Sequence, residues 1–262
     1  MSNSRHLLHV AILGRKGGSA KTTTAYNLAG AFAMAGKRCL LVDLDAQASL
    51  TRALSDDAVA PEHGIGSRIA TTERGIRDTI RTVGPRIDLA PGDRSIEATA
   101  LALAQNPAGP LRLRLLLEEV RDLYDAVIID TAPLLGFTQT SALLAGEVAV
   151  VPTRTGAQQD IDALSDIFST QEELRRYRFA TADIVAIVPS NYHADEAPQR
   201  AGLAALRAAY GDLIADPIPH SPLVERAINN RNPVVANSPR SPAAAAFRAL
   251  MDRLLPIEQV MG

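Results

Sequence analysis

Cysteine is nearly absent from this chain and tryptophan is missing altogether: of 262 residues one is Cys and none is Trp. The lone thiol, Cys39, cannot form an internal disulfide. Its place inside Arg38-Cys39-Leu40-Leu41-Val42 marks it as a packed strand residue rather than a reactive one. No apolar run reaches the roughly 18 residues that a membrane-spanning helix needs. Met1 to His9 lacks the apolar core of a signal peptide. These absences predict a cytoplasmic protein. Excess charge is missing too: the net charge is −2, so any contact with nucleic acid must come from a local patch. Lysine is scarce, with only Lys16, Lys21 and Lys37 among 27 basic residues.

Apolar residues make up 47% of the chain, enough for a sizeable core. Short β-branched runs alternate with helical patterns from end to end. Strands are expected at Leu7–Leu13, Arg38–Leu44, Tyr124–Asp130, Glu147–Thr153 and Asp183–Pro189, with a short strand and turn over Arg86–Gly92. Helices are expected over 22–35, 50–54, 65–70, 73–83, 95–105 (capped by Ser95), 111–123, 136–145, 160–176, 197–210 and 241–255. Residues 220–237 read as a polar segment. The pattern predicts an α/β fold: one domain over 1–262, with a mostly parallel twisted sheet and helices on both faces.

The chemistry centres on Gly14-Arg15-Lys16-Gly17-Gly18-Ser19-Ala20-Lys21-Thr22-Thr23-Thr24, between the first strand and the first helix. A glycine turn that opens a helix presents backbone N–H groups to an anion, and a Lys-Thr pair adds a charge and a hydroxyl for Mg²⁺. Lys16, Gly17, Gly18, Ser19, Ala20, Lys21, Thr22 and Thr23 are therefore the candidate nucleotide-binding residues. Phosphate chemistry also needs a carboxylate at the carboxyl end of a neighbouring strand. Asp130, closing Ala126-Val127-Ile128-Ile129, fits that role as an Mg²⁺ residue, with a turn-capping Asp as the alternative. Asp43-Leu44-Asp45 places a second acidic pair at a strand end, and Asp45 also fits a solvated turn carboxylate.

Lys16-Gly17-Gly18-Ser19-Ala20-Lys21-Thr22, with Asp43-Leu44-Asp45-Ala46-Gln47 and Ile128-Ile129-Asp130-Thr131-Ala132-Pro133, resembles the deviant phosphate-loop ATPases of the ParA/Soj/MinD superfamily. The likeness extends from the first strand to the last helix and implies a P-loop NTPase fold. It departs at Ala20, where the family has glycine, and at Ala46, where it has proline. The resemblance implies ATP and Mg²⁺ as cofactors, with Lys16, Lys21 and Asp45 in catalytic roles and Thr22, Asp45 and Asp130 around the metal. Lys16 would reach the nucleotide of a second copy in an ATP-dependent sandwich homodimer, and Asp45 would position the attacking water. Asn191 and Pro219 match the family's base-flanking loops.

The same resemblance implies a slow ATPase, stimulated by a ParB-like or adaptor partner, that drives partition or positioning of a plasmid, chromosome region or protein cargo. Its ATP form would bind double-stranded DNA without sequence preference and lie on the nucleoid. Arg226, Arg231, Arg240 and Arg248 face one acid, Glu225, over residues 220–248, and form the candidate DNA patch; a solvated surface is the alternative. Cysteine-held cluster relatives do not fit one Cys. The C-terminal stretch 254–262 is interrupted by Pro256 and carries no basic residue, so membrane targeting is not expected. The chain opens at its first strand, so an operator-reading N-terminal domain is not expected. A small-molecule ligase of the dethiobiotin synthetase type, or a nucleotide switch that never touches DNA, remains open.

Overall fold

The computed structural model describes residues 7–260 apart from 57, 58, 72, 107, 134, 135 and 157, and the side chains of 158–161 and 256–260 are also outside the description. Met1 to His6, Met261 and Gly262, part of the leader and tail readings, lie outside it. In chain order the elements are β1 (Leu8–Ile12), α1 (Lys21–Met34), β2 (Cys39–Leu44), α2 (Ser49–Leu54), α3 (Ile65–Ala70), β3 (Arg81–Gly84), β4 (Ile87–Ala90), α4 (Ser95–Leu103) and α5 (Arg112–Glu118). They continue with β5 (Ala126–Thr131), α6 (Phe137–Ala145), β6 (Val148–Thr153), α7 (Gln158–Arg176), β7 (Asp183–Pro189), α8 (Ala197–Tyr210), α9 (Pro222–Asn229), α10 (Val234–Asn237) and α11 (Pro242–Val260).

The strands form one seven-stranded sheet in the order β3-β4-β2-β5-β1-β6-β7, parallel except for the β3–β4 pair. The expected α/β architecture is therefore present. The central strands are apolar on both faces because both faces are covered. Leu8, Val10 and Ile12 of β1 pack into one core, while Leu7, Ala11 and Leu13 pack into the other, the period-2 alternation of a pleated strand. In β5, Ala126 and Ile128 join the first core and Val127 and Ile129 the second.

Helix α1 lies on the first core and is buried nearly all round, beneath α9, α10 and α11. Two residues make that fit possible. A Cβ on Gly30 would stand 2.3 Å from Pro233 Cβ, so only glycine lets α10 approach this closely. Asn27 Nδ2 donates to the Thr23 carbonyl at 2.9 Å, and its Oδ1 accepts from the Val234 amide at 2.8 Å. A buried amide is thereby satisfied while it anchors the C-terminal helices to α1.

Three expectations are corrected. Residues 73–83 are not a helix: Arg81–Gly84 is an edge strand antiparallel to β4, with Thr82 Oγ1 donating to Asp88 Oδ1 at 2.8 Å. Pro85-Arg86 turns the chain, with Arg86 at φ 61°, and pairing to the sheet edge prevails over local helical pattern. Ser95 does not cap α4. Asp93 Oδ1 accepts from the Ser95 amide at 2.7 Å, and Ser95 Oγ is buried without a partner among the described residues. The segment 220–237 contains α9 and α10; Pro222 at the start of α9 and Ser221 Oγ accepting from the Leu223 amide at 3.2 Å set the first of these.

Connections leaving β1 run toward β2, and those leaving β5 pass to β6 on the opposite side of β1. The carboxyl ends of β1 and β5 therefore flank a switch point, the place where open α/β sheets bind ligands.

Candidate nucleotide site

The loop of residues 13–20 sits at that switch point. Gly18 has φ 73° and Ala20 φ 68°, so the backbone coils in the left-handed region just before α1 begins at Lys21. Glycine takes this conformation freely, whereas Ala20 does so against its own Cβ. Lys21 is buried, and its Nζ donates to the Lys16 carbonyl at 3.0 Å, closing the loop. A Cβ on Gly14 would meet Ser19 Oγ at 3.1 Å and Lys21 Cδ at 3.3 Å, so the loop's entry is tightly packed as well. The loop and the N-terminus of α1 together make an anion cradle.

The parallel register sets the carboxylates. Ile12 on β1 pairs with Asp130 on β5, and Asp130 in turn pairs with Asp43 on β2. Both acids are buried, Asp43 fully and Asp130 at 1% exposure. Their pKa values are pushed above the usual carboxylate range. Burial is the main cause for each, and the Asp43 charge adds to the rise at Asp130. The Thr22 hydroxyl and the Lys21 ammonium oppose that rise at Asp130. Burial pulls the Lys21 pKa down, while Asp130 and Asp45 hold it up.

The two acids differ in their partners. Asp43 Oδ2 accepts from the Thr51 amide at 2.8 Å and the Thr51 hydroxyl at 2.7 Å, which ties β2 to α2. Asp130 Oδ1 is buried with no partner among the described residues. An orphaned buried carboxylate oxygen beside a lysine and a threonine hydroxyl suits a bound cation.

Asp45 lies just past the end of β2, half-buried, with Oδ1 accepting from the Gln47 amide at 2.8 Å. That is the local turn a capping Asp makes, and it holds the carboxylate close enough to act on Lys21. Lys16 is half-buried on the loop crown.

A second cavity of about 210 Å³ opens from the loop. Gly18, Ala20 and Thr23 line one side; Asn191, Pro219 and Glu225 line another. Asn191 Oδ1 is 2.7 Å from His220 Nδ1, which leaves its amide nitrogen for the cavity, and Thr24 Oγ1 is buried there without a partner among the described residues. The loop, Asn191 and Pro219, far apart in sequence, are thus brought to one site.

The four arginines do not form one uniform patch. Arg231 is committed to Asp56 through both terminal nitrogens and to the Ala53 carbonyl at 3.1 Å. Arg248 is half-buried and donates to the Pro239 carbonyl at 2.8 Å. Arg226 and Arg240 are exposed, without a hydrogen-bond or ion-pair partner among the described residues.

Two residues of the site carried no sequence signal. Gln139, on α6, donates from Nε2 to the carbonyls of Gly14 at 3.0 Å and Ala132 at 2.8 Å, bridging the loop entry and the end of β5. Arg154, just after β6, donates from Nε to the Gly18 carbonyl at 3.1 Å. Only the register of the sheet reveals either. Asp43 had a signal, as the first acid of Asp43-Leu44-Asp45, but the strand alternation hid its burial.

A family model described as an AAA domain matches residues 8–183, which span the loop and both buried acids. The chromosome-partitioning ATPase Soj of Thermus thermophilus is 30% identical over 256 residues, 94% of each chain. Among solved structures, Cyanothece McdA in complex with ATP superposes with a TM-score of 0.86 at 19% identity, over 96% of this chain and 97% of that one. Cobyrinic acid a,c-diamide synthase from Mycobacterium smegmatis with ADP and magnesium does so at 0.82 and 22% identity, over 98% and 97%. The two structural likenesses establish the fold. With the family match and the Soj identity over nearly the whole length, the chain belongs to the AAA-domain family and, within it, to the ParA/Soj group of P-loop partition ATPases.

Proposed function

We propose that this chain is a nucleotide-driven positioning switch that acts as one ATPase domain over its whole length. It binds ATP with Mg²⁺, pairs with a second copy in the ATP state, holds double-stranded DNA without sequence preference, and lets go after hydrolysis stimulated by a ParB-like or adaptor protein. It works in the cytoplasm, on the nucleoid while ATP is bound.

The observation that carries the nucleotide reading is Asp130. Its buried Oδ1, without a partner among the described residues, lies beside Thr22 and Lys21, at the mouth of a left-handed loop on a helix N-terminus. These residues fit a magnesium-bound triphosphate. Thr22, Asp45 and Asp130 would hold the metal, and Gly17 to Thr23 with Lys21 would hold the phosphates. Mg²⁺ supplies charge neutralisation of the phosphate oxygens when bound. Lys21, anchored on the Lys16 carbonyl, adds positive charge to the cradle. Asp45 would orient a water and accept its proton, and Asn191 with Pro219 would flank the base. Lys16, on the crown, is the residue offered to a second copy.

DNA holding would rest on the exposed Arg226 and Arg240, with Arg248 as a further contributor. The test mixes purified protein with random duplex DNA at two salt concentrations, with ATP, ADP or no nucleotide. ATP-dependent binding that weakens steeply with salt is expected. Absence of binding in every state would reject the DNA part and favour a ligase or a DNA-free switch.

A further inference from the structure

Arg154 stands outside every motif of the phosphate loop, yet it touches Gly18, one of the loop's two residues with positive φ. Its Nε donates to the Gly18 carbonyl at 3.1 Å across 136 residues of sequence. A Cβ built on Gly18 would lie 3.4 Å from Arg154 Nη2, so the guanidinium lies along the loop crown. The side chain also lines the 210 Å³ cavity shared with Ala20, Thr23 and Asn191. Among the described residues its Nη1 and Nη2 have neither a hydrogen-bond nor an ion-pair partner.

Two consequences follow from elementary chemistry. The Gly18 carbonyl and the Ser19 N–H belong to one planar trans peptide, so they point in opposite directions. Because Arg154 holds the carbonyl, the Ser19 N–H points away from that contact, and its direction on the loop is fixed for an anion to use. The rest of the guanidinium carries the charge and up to four N–H donors that, on this exposed side chain, face solvent and have no partner among the described residues. An arginine fork of this kind suits phosphate oxygens, which it can meet with two parallel bonds.

We propose that Arg154 is an anion ligand and loop-positioning residue of the nucleotide site, supplied by the same chain as the loop and directed at the phosphates rather than the base. The inference rests on the nucleotide reading above and deepens it. It adds a third cation, delivered from the end of β6, to Lys16 and Lys21. It also links the β6–α7 connection to the occupancy of the loop, because the Arg154 backbone follows Thr153 directly.

The test compares wild type, Arg154→Gln and Arg154→Lys by competition against a fluorescent ATP analogue, with Mg·ATP and adenosine as competitors. Gln can still donate to the Gly18 carbonyl but has no charge; Lys keeps the charge and loses the fork. Arg154→Gln should weaken ATP by about tenfold or more, the scale of one charge-assisted contact. Adenosine, which has no phosphate, should bind within about twofold of wild type, a difference that a general loosening of the site would not produce. Arg154→Lys should recover part of the ATP affinity. Equal ATP affinity in wild type and Arg154→Gln, an adenosine loss matching the ATP loss, or Arg154→Lys no better than Arg154→Gln would each overturn the proposal. A wild type that binds no ATP would instead overturn the nucleotide reading itself.

Discussion

Asp43 and Asp130 are register partners on adjacent parallel strands, and both are buried. One is bonded twice by Thr51; the other keeps a bare oxygen. Two acids placed this close inside a sheet destabilise the ligand-free protein unless protons or a cation accompany them. The arrangement makes sense as stored binding energy for a metal-bound phosphate.

Asp130→Asn should therefore separate stability from activity. The Asp130 pKa is raised in the folded state, so folding takes up a proton and its contribution is largest at low pH. It is lost as pH rises from the unfolded value through the raised folded one. Removing the charge should stabilise the ligand-free protein at pH 8 by on the order of 2 kcal/mol, seen as a higher melting temperature, and much less at pH 5. The same variant should lose Mg²⁺-dependent ATP hydrolysis. Calorimetry at the two pH values, paired with a phosphate-release assay, checks both halves.

Ala20→Gly should stabilise the chain. Ala20 holds φ 68° at the N-terminus of α1, a conformation costing an alanine about 1 kcal/mol more than a glycine. In a chain of this length that corresponds to about 2–4 °C in Tm. Tighter ATP binding should accompany the gain if the Cβ crowds the phosphates. An unchanged melting curve would mean the loop relaxes around alanine at no cost.

His9 sets the acid limit. It is buried at the start of β1, with Nδ1 donating to the Ala145 carbonyl at 3.1 Å and Nε2 without a partner among the described residues. Burial lowers its pKa to about 4. The unfolded chain then binds more protons between the unfolded value near 6.5 and about 4. Stability is full above the upper value and is lost as pH falls through that window, at about 1.4 kcal/mol per pH unit. His9→Gln should flatten this part of the stability–pH curve measured by urea denaturation.

The arginines should not be equivalent in DNA binding. Arg226→Ala and Arg240→Ala should each reduce the salt slope of ATP-state binding by about 2 in a dimer, one phosphate contact per copy. Arg231→Ala should have a smaller effect, because Asp56 already occupies its guanidinium. Titrations over a range of salt, read by fluorescence anisotropy, distinguish these outcomes.

What the sequence reveals here follows from physics that is local. β7 and α8 are legible to the residue because a β-branched run and a Pro-started helix carry their own boundaries. The loop is legible because its glycines and Lys-Thr pair lie together in sequence. β3 is not, since its conformation comes from pairing with β4 and not from its own residues. The helices α9 and α10 are hidden for a similar reason: both pack on α1, and α10 does so through Asn27 and Gly30. The site is half legible. Asp130 ends a strand and announces itself, whereas Gln139 and Arg154 act through backbone carbonyls more than a hundred residues away.

The most direct measurement is Mg²⁺-dependent phosphate release from ATP by wild type and Lys21→Ala side by side. Lys21 is buried and closes the loop on the Lys16 carbonyl, so the reading of the loop as a working phosphate cradle depends on it. The account predicts slow turnover by wild type that disappears on adding a chelator, and none by Lys21→Ala. Equal rates in the two proteins, or turnover indifferent to Mg²⁺, would contradict it.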